Sequence, residues 1–502
     1  MIRLRGIHNN GTSRIGVLAG YAYLGITFLV FAFGWMKWYI ALPVAICFIL
    51  SFYLAARTAP TLWVPEFSRK NLLLLLAILA VILLWVWFSG IGGFSYQNSD
   101  HVYRNSTFEL LVSESWPVYS MQGEQMQPLV YYIGFWLPSA VVGKLFGIGA
   151  GYAAQYIWAV LGVALIYYLI CAVRKKLLLW PLLLLIAFGG LDFVGMLLTN
   201  VDLSAYTLTT HIEWWMGSVQ FSSFTTQLYW VFNQTIPAWL IVLLLYLQKD
   251  NKSVVFLFSF GLLSCTLPAM GMLPFLIYFV FSRKYDTAAD LKSRGKAWFK
   301  DTFTLTNLLG GGAVGITTAL YVMSNQSGQK FSLSEWGFFE QSGSLYLLLV
   351  FYLVEFGLYA VCILKYQKKN PLFYIVLATL LAVPVLSIVG FGTDFGMRAC
   401  IPAQLILYLL VVDTVQVAWQ KRSKYLLLVL AVCLYIGSLS SMIEINRSLQ
   451  PTFQELYQKN PLTGYQGEVT QMYVRRQNLG EPLNHPNFFG DSDSFFFSYI
   501  AK

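Results

Sequence analysis

Apolar runs too long for the core of an ordinary soluble domain recur in this chain from Ile15 to about residue 442. Several exceed the roughly 18 residues that read as a membrane crossing. They fall at 15–33, 38–55, 71–88, 151–172, 177–198, 234–248, 303–323, 345–364, 371–389, 399–418 and 425–442. The stretch 253–282 is apolar but too short for two full spans, and TLPAMGMLP breaks its middle; it reads as a hairpin that enters and returns on one side. The expected fold is an all-α polytopic membrane protein with eleven spans plus one membrane hairpin, or thirteen helices if the hairpin counts as two. Only 11% of the residues are charged, against about 25% in soluble domains, and they cluster between the apolar runs. That excludes a soluble globular enzyme, a disordered chain and a nucleic-acid-binding domain. The six cysteines lie in or beside apolar runs with no CxxC pair, and the four histidines are scattered, so neither a disulfide framework nor a zinc signature is present.

The sequence begins with a basic stretch, MIRLRGIHNNGTSR, followed by an apolar run too long for a cleavable signal, so the first run reads as a retained span. Segment 129–148 is the ambiguous one, with Pro138, Lys144 and several glycines. The positive-inside rule decides it. With the N-terminus in the cytoplasm and 129–148 lying in the outer interface, the inner loops collect 23 of the 33 basic residues and five acids, a net of +18. The outer side then holds 10 bases and 15 acids. If 129–148 crossed, Arg174, Lys175 and Lys176 would move outside and the asymmetry would break. The net charge of +10 is thus orientation rather than a nucleic-acid footprint. Asp192, Glu355 and Asp413 are left inside spans with no lysine or arginine partner expected. Residues 1–442 form the expected transmembrane domain, with outer loops 88–130, 199–233 and 390–398. Residues 443–502 form an extracytoplasmic segment expected to pack on those loops, since about 60 residues make a marginal core alone.

Three outer loops carry the unusual polar residues. The first contains Asp100, His101 and Arg104, with Asp100 placed to cap a short helix on the membrane surface and an apolar interfacial segment following. The second has no lysine or arginine and mixes aromatics with polar groups: Glu213, Trp214, Trp215, Gln220, Asn233 and Gln234. An interfacial aromatic belt accounts for the tryptophans but not for the amides and the carboxylate, whereas a sugar cleft uses both. In the third, Asp394 and Arg398 are four residues apart, a spacing that pairs them on one helical face. An arginine at the outer boundary is suited to gripping a lipid phosphate with a charge-assisted fork, a role for which Arg104 is the rival of Arg398.

This layout resembles the GT-C superfamily of integral membrane glycosyltransferases, which includes protein O-mannosyltransferases and aminoarabinose-lipid transferases. The shared features are the cytoplasmic start, the aspartate in the first long outer loop, the interfacial helix before the next span, and the extracytoplasmic C-terminal segment. The strings SDHVYRN…SWPVY, HIEWW…QFSS…LYWVFNQTIPAWL and GTDFGMR look like a bacterial branch of such proteins. The resemblance implies an enzyme of the bacterial plasma membrane that moves a sugar from a polyprenyl-phosphate donor to a glycan, lipid or protein acceptor of the cell envelope, with inversion. Asp100 is then the expected base, with Glu213 second, and Arg398, Arg104 and His101 hold the donor phosphate. Trp214, Trp215, Gln220, Asn233, Gln234 and Asp394 line the sugar or acceptor site. The family's paired acidic motif is replaced by Asp100-His101, which leaves open whether a divalent cation (Mg or Mn) takes part; Glu213 is the candidate for a second carboxylate. The alternatives are a lipid or polysaccharide flippase or transporter, and a polysaccharide polymerase or ligase.

Overall fold

The computed structural model describes residues 11–122, 124–199, 202, 204, 206–282, 291–325, 344–458 and 486–502. Among them, ten helices are long and apolar enough to cross a membrane: Ile15–Trp35, Trp38–Thr58, Arg69–Trp87, Ile148–Arg174, Trp180–Leu198, Phe224–Leu247, Ser344–Gln367, Pro371–Ala399, Ile401–Gln420 and Lys424–Gln454. An eleventh is a bent pair, Lys292–Thr302 and Thr306–Met323, meeting at 49°. The protein is an all-α integral membrane protein. Segment 129–148 forms only the short helix Ile133–Phe146.

Local chemistry starts these helices where the apolar runs begin. The Ser68 hydroxyl accepts from the Asn71 N–H ahead of the leucine-rich helix Arg69–Trp87. Asn370 accepts from Leu372 N–H, with Pro371 in the first helical position where its missing N–H costs nothing. Phe224–Leu247 is the central helix, buried along almost its whole length. It is kinked at Val231, and Pro237 lacks the N–H that would bond the Asn233 carbonyl. Trp180–Leu198 is broken at 188–191 around Gly189 and Gly190. The helix Pro371–Leu386 ends in a widened turn, where Gly390 at φ 139° lets the chain swing into Gly392–Ala399.

The two ends of the bundle are chemically distinct. At the end expected inside, Asn251 donates to the Val280 carbonyl at 2.8 Å and the Thr302 hydroxyl at 3.1 Å. The segment between, Val254–Ser264 and Thr266–Phe281, therefore leaves and returns to the same end. Asp413 corrects an expectation at this end: it is not unpartnered, because Arg174 Nη1 lies 2.7 Å from its Oδ1 and Gln367 donates to Oδ2 at 3.2 Å.

At the opposite, acidic end, the last residues of the chain knit the loops together. Lys37 N–H donates to the Ile500 carbonyl, Val130 N–H to Phe488, Gly490 N–H to Pro128, and Asp491 N–H to Ser324, all at 2.8–2.9 Å. Phe496 packs on Phe31 and Tyr321. The hairpin Tyr119–Gln122 with Gln125–Pro128 lies at the same end, in register Tyr119 to Pro128. The last long helix runs from Lys424 to Gln458, past the boundary expected at residue 443. Residues 459–485 of the expected C-terminal segment lie outside the described residues.

Candidate functional site

A cavity of about 490 Å³ opens at the acidic end, and the first and third unusual loops meet in it. Asp100 and Arg104 come from the helix His101–Ser113 and the residue before it, Asp394 and Arg398 from Gly392–Ala399. Both arginines pair at i,i+4: Arg104 Nη2 lies 2.9 Å from Asp100 Oδ2, and Arg398 Nη1 lies 2.5 Å from Asp394 Oδ1. Asp100 precedes the helix as expected but does not cap it through its side chain, because the carboxylate is turned to Arg104 instead.

The pairs leave part of each guanidinium unmet. Among the described residues, Arg104 Nε and Nη1 and Arg398 Nε are buried without a hydrogen-bond partner. An arginine has five N–H donors and cannot lose its charge, so unmet donors of this kind call for an anion. The carboxylates are more open than the arginines that hold them, at 38% and 59% side-chain exposure against 6% and 8%. The site therefore presents two buried cations whose acidic partners can swing toward water.

Tyr131 and Tyr132 line the same cavity. Burial pushes the Tyr131 phenol up against the opposing pull of Arg398 and Arg104, and burial raises Tyr132 as well, so both remain neutral hydroxyls near neutral pH. Leu267, at the tip of the returning hairpin, joins Val322 and Met323 in an apolar wall. Met323 is 80% exposed at the end of a membrane span, so this wall continues onto the lipid-facing surface. Asn325, Asn487 and Phe488 also line the cavity.

The remaining sequence-derived candidates lie elsewhere. His101 is buried behind the cavity, stacked on Phe232, with Nε2 3.1 Å from the Ser89 carbonyl and 3.2 Å from that of Tyr229. Its Nδ1 lies 3.3 Å from Gln97 Nε2, and His101 does not line the cavity. Glu213 is not in the cavity wall. Its Oε1 accepts from Ser223 N–H at 3.0 Å and the Thr226 hydroxyl at 2.7 Å, and its Oε2 from Gln220 Nε2 at 3.0 Å. Beside it, His211 Nδ1 meets Glu444 Oε1 at 2.6 Å, with Nε2 3.8 Å from Glu213 Oε2. Burial would lower the imidazole, but the Glu444 hydrogen bond and the charges of Glu213 and Glu444 outweigh it and hold His211 above its ordinary value.

Trp214 is exposed and donates to Gln220 Oε1 at 2.7 Å, while Trp215 is buried and donates to Asp192 at 3.3 Å. Asn233 and Gln234 are buried on the central helix, with side-chain amides that make no hydrogen bond among the described residues. The second loop thus forms a buried polar cluster of its own. The sequence reading missed Tyr131 and Tyr132 as cavity residues, although their place before the interfacial helix was a usable signal. For Leu267, Asn325 and Asn487 no local signal exists, because only the folded chain brings them together.

The donor set does not fit a tightly held divalent ion. Both cavity aspartates are already paired with arginine, and among the described residues no group of three or more His, Cys, Asp or Glu side chains is gathered for a metal. Compared with known proteins, the chain matches no family model, no curated protein and no solved structure.

Proposed function

We propose that the protein is a glycosyltransferase of the GT-C kind, taking a sugar from a polyprenyl-phosphate donor at the outer face of a bacterial plasma membrane. The observation that carries this reading is the meeting of two buried, partly unmet arginines, two aspartates and an apolar lipid-side wall in one cavity. The donor has the same three parts: an anion, a polyol and a long hydrocarbon chain. Arg104 and Arg398 take the phosphate, Tyr131 and Tyr132 offer hydroxyls and flat apolar faces to the sugar, and the chain leaves past Leu267, Val322 and Met323 into lipid.

The acceptor hydroxyl oxygen attacks the anomeric carbon as the bond from that carbon to the phosphate oxygen breaks. The bonding pair leaves with the polyprenyl phosphate, and the hydroxyl proton passes to Asp100, giving inversion. Asp100 engages Arg104 through Oδ2, leaving Oδ1 for the acceptor. The incoming phosphate competes for Arg104 and loosens that pair, which makes the carboxylate a better base. The two guanidinium groups stabilise the charge that develops on the leaving phosphate, where preorganised donors have most effect. The test is purified protein with a labelled polyprenyl-phosphate sugar: Asp100→Asn is expected to lower the melting temperature, because the buried Arg104 loses its carboxylate, and to lose transfer at temperatures where the variant is still folded; wild-type activity in that variant removes Asp100 from the mechanism.

The second reading is a lipid flippase or transporter, favoured by a broken span that carries a buried acid, Asp192. Counterflow uptake in proteoliposomes, with no transfer to any acceptor, is the result that would support it over the enzyme.

A further inference from the structure

Two acids, Asp192 and Glu355, lie inside the bundle apart from the cavity wall. Asp192 opens the second half of the broken span, just after Gly189, Gly190 and Leu191. Glu355 sits in the widened turn Leu353–Gly357 of another span. The Leu191 N–H donates to the Val354 carbonyl at 3.0 Å, so the next residue on each segment brings the two acids side by side. Asp192 has no exposed surface and Glu355 is 5% exposed. Among the described residues, neither makes an ion pair with a lysine, arginine or histidine.

The two carboxyls differ in what they receive. Asp192 Oδ2 accepts the Ser440 hydroxyl at 2.5 Å, and Oδ1 accepts Trp215 Nε1 at 3.3 Å. Among the described residues, neither buried oxygen of Glu355 has a hydrogen bond of good geometry; Asp192 and Trp215, which interact with it, already bond to each other. An ionised carboxylate is an acceptor only, so the group with two donors is the anion. Two adjacent carboxylates without a cation cannot both stay charged in a low-dielectric interior. The group with no donors is therefore the neutral acid.

We infer that Asp192 and Glu355 form an intramembrane proton-binding site, with the proton on Glu355 and Asp192 as its charged neighbour. The other groups around the pair are Glu213 and His211 from the second loop, Cys400 at the start of Ile401–Gln420, and Tyr359, whose hydroxyl donates to the Gly189 carbonyl at 3.1 Å and the Cys433 carbonyl at 3.2 Å. None of them is a permanent cation. His211, Glu213, Asp192 and Glu355 form a succession of titratable groups leading from the acidic end into the bundle. The inference is independent of sugar transfer, and an inactive transferase would leave it standing.

Dicyclohexylcarbodiimide, an apolar reagent that adds to protonated carboxyls to leave a stable N-acylurea, reads the site directly. The probe is applied to the full chain in lipid nanodiscs, with mass spectrometry locating the adduct. Wild-type protein at neutral pH is expected to carry the adduct on Glu355, with labelling unchanged by excess sodium. Glu355→Gln is expected to lose the adduct and Asp192→Asn to keep it. In the infrared, wild type is expected to show the protonated-carboxyl C=O band that Glu355→Gln lacks. An unlabelled wild type, an adduct on Asp192 instead, or protection by sodium, which would mark a cation site, overturns the inference. The wild-type measurements do not depend on any variant folding.

Discussion

At the residue scale, the two cavity arginines are built to be removed without unfolding the protein. Deleting one partner of a buried ion pair is costly when it strands a buried charge. Here the partners left behind, Asp100 and Asp394, reach solvent. Arg104→Gln and Arg398→Gln are expected to keep the wild-type melting temperature within a few degrees and each to lower kcat/KM by about 10²-fold or more, the usual cost of losing a preorganised charge donor. Wild-type activity in one of the single variants would mean that only the other arginine meets the phosphate. His211 gives a pH prediction with a defined sign. Its folded-state value lies above the ordinary 6.5, so its protonation stabilises the fold fully below that pH. The contribution is lost as pH rises through the folded value. Thermal melts of wild type are expected to fall across the range above 6.5, and His211→Gln is expected to flatten that slope.

At the scale of elements, the hairpin that turns at Cys265 links the fold to the site. Its Gly271 lies against the backbone carbonyl of Ala399, next to Arg398, so a side chain there pushes two segments apart. Gly271→Leu is expected to cost about 1–3 kcal/mol through overpacking, seen as a lowered melting temperature. Activity is expected to fall further than the lost stability accounts for, because Arg398 moves with its segment. Gly312→Leu, facing open space near an apolar side chain, is the control. The spans themselves were legible because length and hydropathy are additive along a chain: nearly every expected run falls within a helix. The i,i+4 pairs were legible for the same reason, since helical spacing alone brings Asp100 to Arg104 and Asp394 to Arg398. The partition of the second loop was not. Glu213 looks like a cleft residue in sequence, yet its three donors come from Gln220, Ser223 and Thr226 of the same loop and the helix after it. Nor was the Arg174–Asp413 pair, which joins residues 239 positions apart.

At the scale of the whole molecule, charge and topology constrain each other. The loops joined by the last residues of the chain are those that the positive-inside argument assigned to one side: 36–37, 88–130 and 324–325 all contact residues 486–502. The loops at the other end carry Arg57, Lys175, Lys252 and Lys421. Which end faces the cytoplasm decides which lipid-linked substrates can reach the cavity, because a charged headgroup does not cross the bilayer unaided. If the basic end faces inward, as the positive-inside rule leads one to expect, a cysteine at Met323 is expected to react with a membrane-impermeant maleimide on intact spheroplasts. A cysteine at Lys252 is expected to react only after permeabilisation. The reverse pattern would put Arg104 and Arg398 on the cytoplasmic leaflet, and the donor would then have to be one presented there. Masking of Met323 on both sides would instead mean that the wall beside the cavity is covered by another chain rather than by lipid.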